Sequence, residues 1–568
     1  MQAIAITLNP GFVCILAALL VLAAPRVARA PITATAAVAA LWLMLDRDFG
    51  AAAAAAQMGV PVVLLDLDAL NRIFGIAMLI ALIIIAMASS ARRNRSEDAA
   101  ILLMAGGAVS ALFVGDLISF VGAAALAGLA SAWLVFASPM PNSAQSGVRL
   151  LIWQGLEGLL FLVGVAFHLS AGAASSIFTQ LDVATIGGGF IFAALLIRAG
   201  APLAHVWLKD AIAHASPVGA AALSVFSTML GVYALARLFP AVPLLIFIGM
   251  GMIVIGLVYA MAEDDARRVA ASGLTAQTGV CVALIGLGSP LAMAAAEGHA
   301  FTTIFAFAAL QIALGAILGR RGSVRISTFE GVSRAMPLTA TLLLVAGLAA
   351  AAAPLFASYT TIAIALEAMA QWELQWAWTL IACVPAGLFA ALCLRLSLAA
   401  FDGVATRTPI EEAPFPMILG AALAAFFCLS VGVAPNWLYG LLPTTLEFAP
   451  FALDRLAPHL ALMGGAGVTL IAVRAFKLAP AERAVRLRDV DALYRGPLAG
   501  AGRWLGVVML RVYGAAQAVA ERQAAAAGRL VMRLVRACDQ PYRGGGGGLV
   551  QFGALITVTA LALIWRFL

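Results

Sequence analysis

The chain has 568 residues, of which 64% are hydrophobic and 11% charged, against about 25% charged in an ordinary soluble domain. Thirty-four Lys and Arg with 27 Asp and Glu cannot cover a water-soluble core of that apolarity. A soluble enzyme and a disordered chain are both excluded. The formal charge of +7 raises nucleic acid as a partner, and the position of that charge removes it below.

Apolar runs long enough for a hydrocarbon core of about 30 Å lie near 4–24, 30–45, 73–90, 99–114, 117–137, 149–169, 183–200 and 217–239. Others follow near 241–261, 270–288, 299–318, 337–371, 376–399, 414–434, 457–476 and 549–567. The first imitates a signal peptide through Ala28-Arg29-Ala30, but no Lys or Arg precedes it and Pro31 would follow the cut. It is therefore read as a helix. The run 337–371 is too long for one plain span and carries Pro354 near its middle. Counted as one broken helix, it keeps most Arg- and Lys-bearing loops on one side to the end of the chain, as the positive-inside rule requires. The chain is then an all-α polytopic membrane protein of about sixteen crossings with both termini outside the cytoplasm. A second break is expected near 198–217, in IRAGAPLAHVWLKDAIAHASP. Interrupted spans at separated positions point to inverted-repeat transporters.

The expected organisation is N-terminal helices over 1–98, a core over 99–400, C-terminal helices over 401–478, a basic segment over 479–548 and a final helix over 549–568. Residues 483–543 hold eleven Arg against four acids, so the whole charge excess lies there. From Trp504 to Val535, Arg interrupts Leu, Val, Met and Ala, a pattern of a surface-lying amphipathic helix that binds a neighbouring protein of the assembly or anionic lipid. A solvated topology anchor fits the same pattern. Its cytoplasmic placement makes it a membrane collar, with no nucleic acid as partner. The six cysteines stand singly, with no CxxC, and the five histidines include no HExxH. No metal or cofactor is expected.

Several motifs carry a resemblance. Pro202-Leu203-Ala204-His205-Val206-Trp207-Leu208-Lys209-Asp210-Ala211, then Ala215-Ser216-Pro217 and Gly231-Val232-Tyr233-Ala234-Leu235-Ala236-Arg237, stand in order. Glu263-Asp264-Asp265-Ala266-Arg267-Arg268-Val269-Ala270 with Gln277 and Gly279, then His299-Ala300-Phe301 with Gly315-Ala316, follow. Met336-Pro337, Pro354-Leu355-Phe356, Asp489-Val490-Asp491 and Tyr494-Arg495 complete the series. Over about 100–500 the chain resembles the antiporter-like membrane subunits, the D subunit of Mrp-type cation/proton antiporters and the proton-pumping subunits of respiratory complex I. The resemblance implies two inverted five-helix repeats and a mid-membrane row of charges: Glu on helix five, Lys on seven and eight, His and Lys on eleven, Lys or Glu on twelve.

This chain departs from that row. Ala124 or Ala125 stands for the Glu, Arg198 for the first Lys and Met229 for the second; Thr303 and Phe307 replace His and Lys, and Ile362 the last charge. The candidates left for an ion path are Arg198, Glu157, His299, His205 and Glu367, with Glu157 or Glu367 as partner to Arg198. A guanidinium cannot cycle its proton, and a snorkelling Arg198 is the plain alternative. His168 and His459 read as interfacial polar groups. The implied function is proton or monovalent-cation translocation in a bacterial inner membrane, with other membrane subunits of an antiporter or complex-I-like assembly as partners. A non-conducting scaffold and a carrier of another solute are the alternatives, and a place within a complex-I-like oxidoreductase stays open.

Overall fold

The structure, a computed structural model, describes residues 8–57, 60–91, 94–171, 177–329, 331–401, 411–444, 446–478, 490, 492 and 494–538. Residues 1–487 and 488–568 are separate compact units. The first opens with α1 (Pro10–Ala23) and α2 (Arg26–Leu45), then β1 (Gly50–Gln57) and β2 (Val60–Leu67). Next come α3 (Ala69–Ser89), α4 (Arg95–Phe113), α5 (Leu117–Phe136), α6 (Ser143–Ser170), α7 (Ile186–Ala199) and α8 (Val206–His214). They lead into α9 (Gly219–Leu238), α10 (Leu244–Ala262), α11 (Ala266–Leu287), α12 (Pro290–Arg321) and the short α13 (Val332–Ala335). The unit closes with α14 (Pro337–Ala350), α15 (Ala357–Gln371), α16 (Gln375–Leu388), α17 (Leu396–Phe401), α18 (Phe415–Val433), α19 (Asn436–Tyr439) and α20 (Leu453–Ala475).

Among the described residues, twelve helical segments are long and apolar enough to cross a membrane. α1, α7 and α14 are apolar but shorter. The apolar stretches of α9, α11 and α12 are buried along their whole length, so these three form the centre of the bundle. α12 packs on α3, α9, α11, α14, α15 and α18. The expected final helix over 549–568 lies outside the described residues, as do Asp489 and Asp491. In the second unit the basic segment forms one 40-residue helix, α21 (Ala499–Cys538), longer at both ends than the stretch expected from 504 to 535.

The all-helical expectation needs one correction. Residues 50–57 and 60–67 pair as antiparallel strands. The alanine run of β1 favours helix on propensity alone, but Val60-Pro61-Val62-Val63 is β-branched and its proline is tolerated in an edge strand. Tertiary partners fix the register. Asp116 Oδ2 accepts from Val63 N at 2.8 Å, Gly115 N donates to Val63 O at 2.9 Å and Asn9 Nδ2 donates to Leu64 O at 3.0 Å.

The two breaks share one local design. Ala199-Gly200-Ala201-Pro202-Leu203 starts at the last residue of α7, and Ala351-Ala352-Ala353-Pro354-Leu355 follows α14. In the first, Gly200 N donates to Ile197 O and Ala201 N to Leu196 O; in the second, Ala352 N donates to Ala349 O and Ala353 N to Leu348 O. Both are left-handed helix caps that satisfy carbonyls at the C-terminus, with φ +75° at Gly200 and +53° at Ala352. Proline then denies the helix its next donor. Ala204 N donates to Ala201 O at 3.0 Å and Phe356 N to Ala353 O at 3.1 Å, closing turns in which Leu203 and Leu355 both take φ +74°. A Cβ on Gly200 would meet nothing nearer than 3.9 Å, so Gly200→Ala isolates the conformational cost of the left-handed region. Thermal unfolding is expected to register a loss of about 1 kcal/mol.

The capping of α5 and α11 also matches. Asp116 accepts from Ser119 N at 2.8 Å, and Asp265 accepts from Arg267 N at 2.9 Å. Each cap residue forms an isolated bridge with the loop after the next helix, Asp116 with Ile177 and Asp265 with Arg325.

Candidate functional site

Arg198 occupies the last turn of α7, immediately before the first break. Its Nε donates to Glu157 Oε1 at 3.0 Å and its Nη2 to Glu157 Oε2 at 2.6 Å. Nη2 also donates to the carbonyl of Ala124 at 3.1 Å. Both residues are 2% exposed. The fork therefore ties α5, α6 and α7 with a fully buried, bidentate ion pair, the geometry in which a buried charge is tolerated. Of the two acids that could partner Arg198, Glu367 is ruled out: it lies 3.2 Å from Arg455.

His205 is buried in the linker to α8, its ring centroid 5.9 Å from that of Tyr259. Beyond it, Lys209 sits with Nζ 3.5 Å from the Tyr259 ring centroid and 3.9 Å from Glu263 Oε1. The motif residues around the first break mainly hold it in place. Arg149 grips Asp210 bidentately at 2.7 and 3.0 Å. Arg267 donates to the carbonyls of Ala215 and Ser216 at 2.9 and 3.0 Å, and Ser216 donates to Glu97.

A second polar cluster lies at the break after α14. Gln277 Nε2 donates to the carbonyl of Ala350, the last residue of α14, at 2.7 Å. Its Oε1 therefore faces His299 Nε2, 2.9 Å away, and can only accept, so that Nε2 carries a proton. His299 Nδ1 is 2.8 Å from Thr361 Oγ1, which also lies 3.0 Å from Ser358 O. With a neutral ring, the Thr361 hydroxyl donates to Nδ1. With a protonated ring, Nδ1–H donates to Thr361, whose hydroxyl turns to the Ser358 carbonyl. The two states differ by one proton on Nδ1 and by one rotation of the Thr361 hydroxyl, with every heavy atom in place. His299 is fully buried.

The residues read as departures from the charge row lie inside the bundle. Met229, Phe307 and Ile362 are at most 1% exposed, and Ala124 offers its backbone carbonyl to Arg198. Ala125 has no polar side chain to add. Buried Thr303 and Thr360 hydroxyls and both amide atoms of Gln311 have no hydrogen-bond partner among the described residues. Those same residues hold no group of three His, Cys, Asp or Glu side chains placed to ligate a metal.

Sequence reasoning missed the partners of His299. Gln277 stood in a quoted motif, but only the fold shows that it joins His299 to the break; the Thr360-Thr361 pair after Pro354 was a readable signal of polarity at mid-span. The interfacial reading of His459 is corrected. It is 7% exposed, and its ring nitrogen Nε2 donates to the carbonyl of Ala352, 2.8 Å away inside the second break.

Residues 114–388 match the family model described as NADH:quinone oxidoreductase/Mrp antiporter, TM. A probable K(+)/H(+) antiporter protein of Rhizobium meliloti is 32% identical over 27% of this chain and 16% of its own length. A chloroplastic NAD(P)H-quinone oxidoreductase subunit 5 of Manihot esculenta is 27% identical over 35% of this chain and 28% of its own. The chain thus spans less than a third of either relative. In the solved Mrp complex from Dietzia sp. DQ12-45-1b, one chain superposes with a TM-score of 0.68 at 17% identity, over 82% of this chain and 99% of that one. This last likeness shows a shared fold. With the motifs and the two helix breaks, residues 114–388, just under half of the chain, carry a membrane core that matches the NADH:quinone oxidoreductase/Mrp antiporter family.

Proposed function

We propose that this chain moves protons or monovalent cations as one membrane subunit of a Mrp-like or complex-I-like assembly, through a path whose lysine row is reduced. The observation that carries this reading is the His299–Thr361–Ser358 arrangement, which accommodates the loaded and unloaded imidazole without heavy-atom movement. A buried ionisable group costs free energy in the membrane and persists where ions need a relay. Arg198 and Glu157 supply a fixed charge pair at the first break, and His205 lies beside it. The matched caps, loop bridges and Ala-Pro-Leu breaks support two inverted five-helix repeats, α4 to α9 and α10 to α16, with each broken helix (α7 with α8, α14 with α15) counted once and the four-residue α13 left out. Counting the final apolar run makes sixteen crossings with both termini on one side, and the positive-inside rule puts them outside, with the 479–548 segment on the cytoplasmic face of a bacterial inner membrane. The five sequence segments, 1–98, 99–400, 401–478, 479–548 and 549–568, keep those roles.

Thr361→Val keeps the side-chain shape and removes the hydroxyl. Proton flux in vesicles bearing the assembled complex is expected to fall roughly a hundredfold, the scale of a lost general acid–base group, while co-purification of the partner subunits is unchanged. Undiminished flux would falsify the relay. A second reading, a non-conducting scaffold, is favoured by one observation, the packing of Met229, Phe307 and Ile362 as dry core. It predicts normal flux from Thr361→Val and loss of the complex when the subunit is deleted.

A further inference from the structure

The chain carries 34 Lys and Arg, and only two of these are lysines, Lys209 and Lys477. Lys477 follows α20 and is exposed. Lys209 is buried at 3% exposure, and the other buried cationic side chains among the described residues, Arg29, Arg198, Arg267 and Arg395, are all arginines. Those four hold fixed charge: Arg198 in its fork with Glu157, Arg267 on the carbonyls of Ala215 and Ser216, Arg395 on that of Ala260 and Arg29 on that of Ala24. A guanidinium keeps its proton, whereas a desolvated lysine can release one. Lys209 is thus the one member of this buried set able to exchange a proton.

Its surroundings suit that exchange. Lys209 lies on α8, eleven residues after Arg198 and past the first break, and its long stem reaches α10. There Nζ stands 3.5 Å from the centroid of the Tyr259 ring and 3.9 Å from Glu263 Oε1. Glu263 is 5% exposed and caps the C-terminus of α10, the end at which a helix favours a cation. Tyr259 and Glu263 are four residues apart, as are His205 and Lys209, so each pair shares one helix face. The ring face attracts the amine in its charged form, and Glu263 waits about 1 Å beyond hydrogen-bonding distance. A swing of the amine by that much closes the pair. Transfer then breaks one Nζ–H bond, forms one Oε1–H bond and leaves a neutral amine beside a neutral carboxylic acid, with no net charge created in the interior.

The other charged groups around α8 have partners of their own. From α6, Arg149 grips Asp210, which also lies 3.5 Å from His214. From α11, Arg267 holds the carbonyls after α8, and Arg268 acts on His214. The one charged residue of α9, Arg237, stands at the far end of that helix, paired with Asp68. Arg395 places a fixed guanidinium at the same end of α10 as Glu263, bonded to Ala260 O at 3.2 Å.

We propose that Lys209 is a proton-exchanging amine of this chain, trading its proton with Glu263 at the seam between α8 and α10. The inference rests on the reading of the chain as a proton-moving subunit, and it adds a site at a position outside the charge row. The exchange itself can be tested without transport. In the full complex, lysine side chains are labelled with a nitrogen isotope and followed by solid-state NMR over a pH series. The Lys209 signal is identified by its absence from Lys209→Arg. It is expected to pass between ammonium and neutral amine over a pH range in which the exposed Lys477 stays ammonium. A Lys209 that stays ammonium for as long as Lys477 does overturns the proposal. Transport supplies the second readout. Lys209→Arg keeps a cation for Tyr259 and Glu263 but cannot release its proton, so a merely structural lysine is replaced without loss. Proton flux in vesicles is instead expected to fall roughly tenfold or more, with the partner subunits still co-purifying. Full flux in the assembled Lys209→Arg complex also overturns the proposal. If Lys209→Arg does not assemble, Lys209→Met identifies the signal and the spectrum decides alone. If the native complex carries no proton flux, the transport reading fails while the spectrum still decides whether Lys209 exchanges its proton.

Discussion

Arg198→Ala is expected to destabilise the protein by about 3–5 kcal/mol, the scale of stranding one member of a buried ion pair. Glu157 would keep its place at 2% exposure with neither of its two charged hydrogen bonds. Glu157→Ala is expected to cost as much, since Arg198 cannot shed its proton. The double variant Arg198→Met/Glu157→Leu replaces both charges with side chains of similar volume, and most of the loss should be recovered, because desolvation of the pair disappears with it. Thermal unfolding of purified complex reads all three. The double variant also separates two roles for the pair. If Arg198 and Glu157 shape the field of an ion path, the stable double variant loses proton flux. If they are a structural staple between α6 and α7, it conducts normally. We expect flux to be lost, since lipid-buried charge costs more than the apolar packing that could stand in its place.

The pair also shows how far the sequence reaches. Glu157 stands in the sequence as one of two candidate partners of Arg198, favoured over Glu367 only by lying on the preceding helix; the fold makes the choice. That Arg198 also reaches the Ala124 carbonyl did not, because backbone acceptors leave no trace in side-chain identity. The breaks were legible from Pro202 and Pro354, as proline removes a donor wherever it stands. Their common hydrogen-bond design was not, since it depends on left-handed backbone at Ala352, Leu203 and Leu355, residues that rarely adopt it. The strand pair of 50–57 and 60–67 was missed because an alanine run carries no period, and its register depends on Asp116 and Asn9, distant in sequence. His299 was visible as a candidate; its partners Gln277 and Thr361, 22 and 62 residues away, could be chosen only by the fold. His459 was misjudged for the same reason. Its position near a helix end suggested an interface, whereas α20 inserts that end against the second break.

Packing at that break leads to the other large effect. Gly432 on α18 presses directly on the chain where α15 starts. A Cβ there would lie 2.1 Å from Leu355 O and 2.5 Å from Phe356 C. Both are backbone atoms and cannot rotate away, so Gly432→Ala must move either α18 or the break. Overpacking of this kind costs about 1–3 kcal/mol, and the displacement is aimed at the functional geometry. Ser358 and Thr361 follow Phe356 within a turn and a half, and the proton-exchange arrangement needs Thr361 Oγ1 within bonding distance of both His299 and the Ser358 carbonyl. Gly432→Ala is therefore expected to lower proton flux by more than its effect on thermal stability accounts for. Gly464→Ala on α20, whose Cβ meets nothing within 4 Å, should change neither. Equal, small effects from both substitutions would mean that the second break tolerates displacement, and that the His299 cluster does not depend on the position of its backbone.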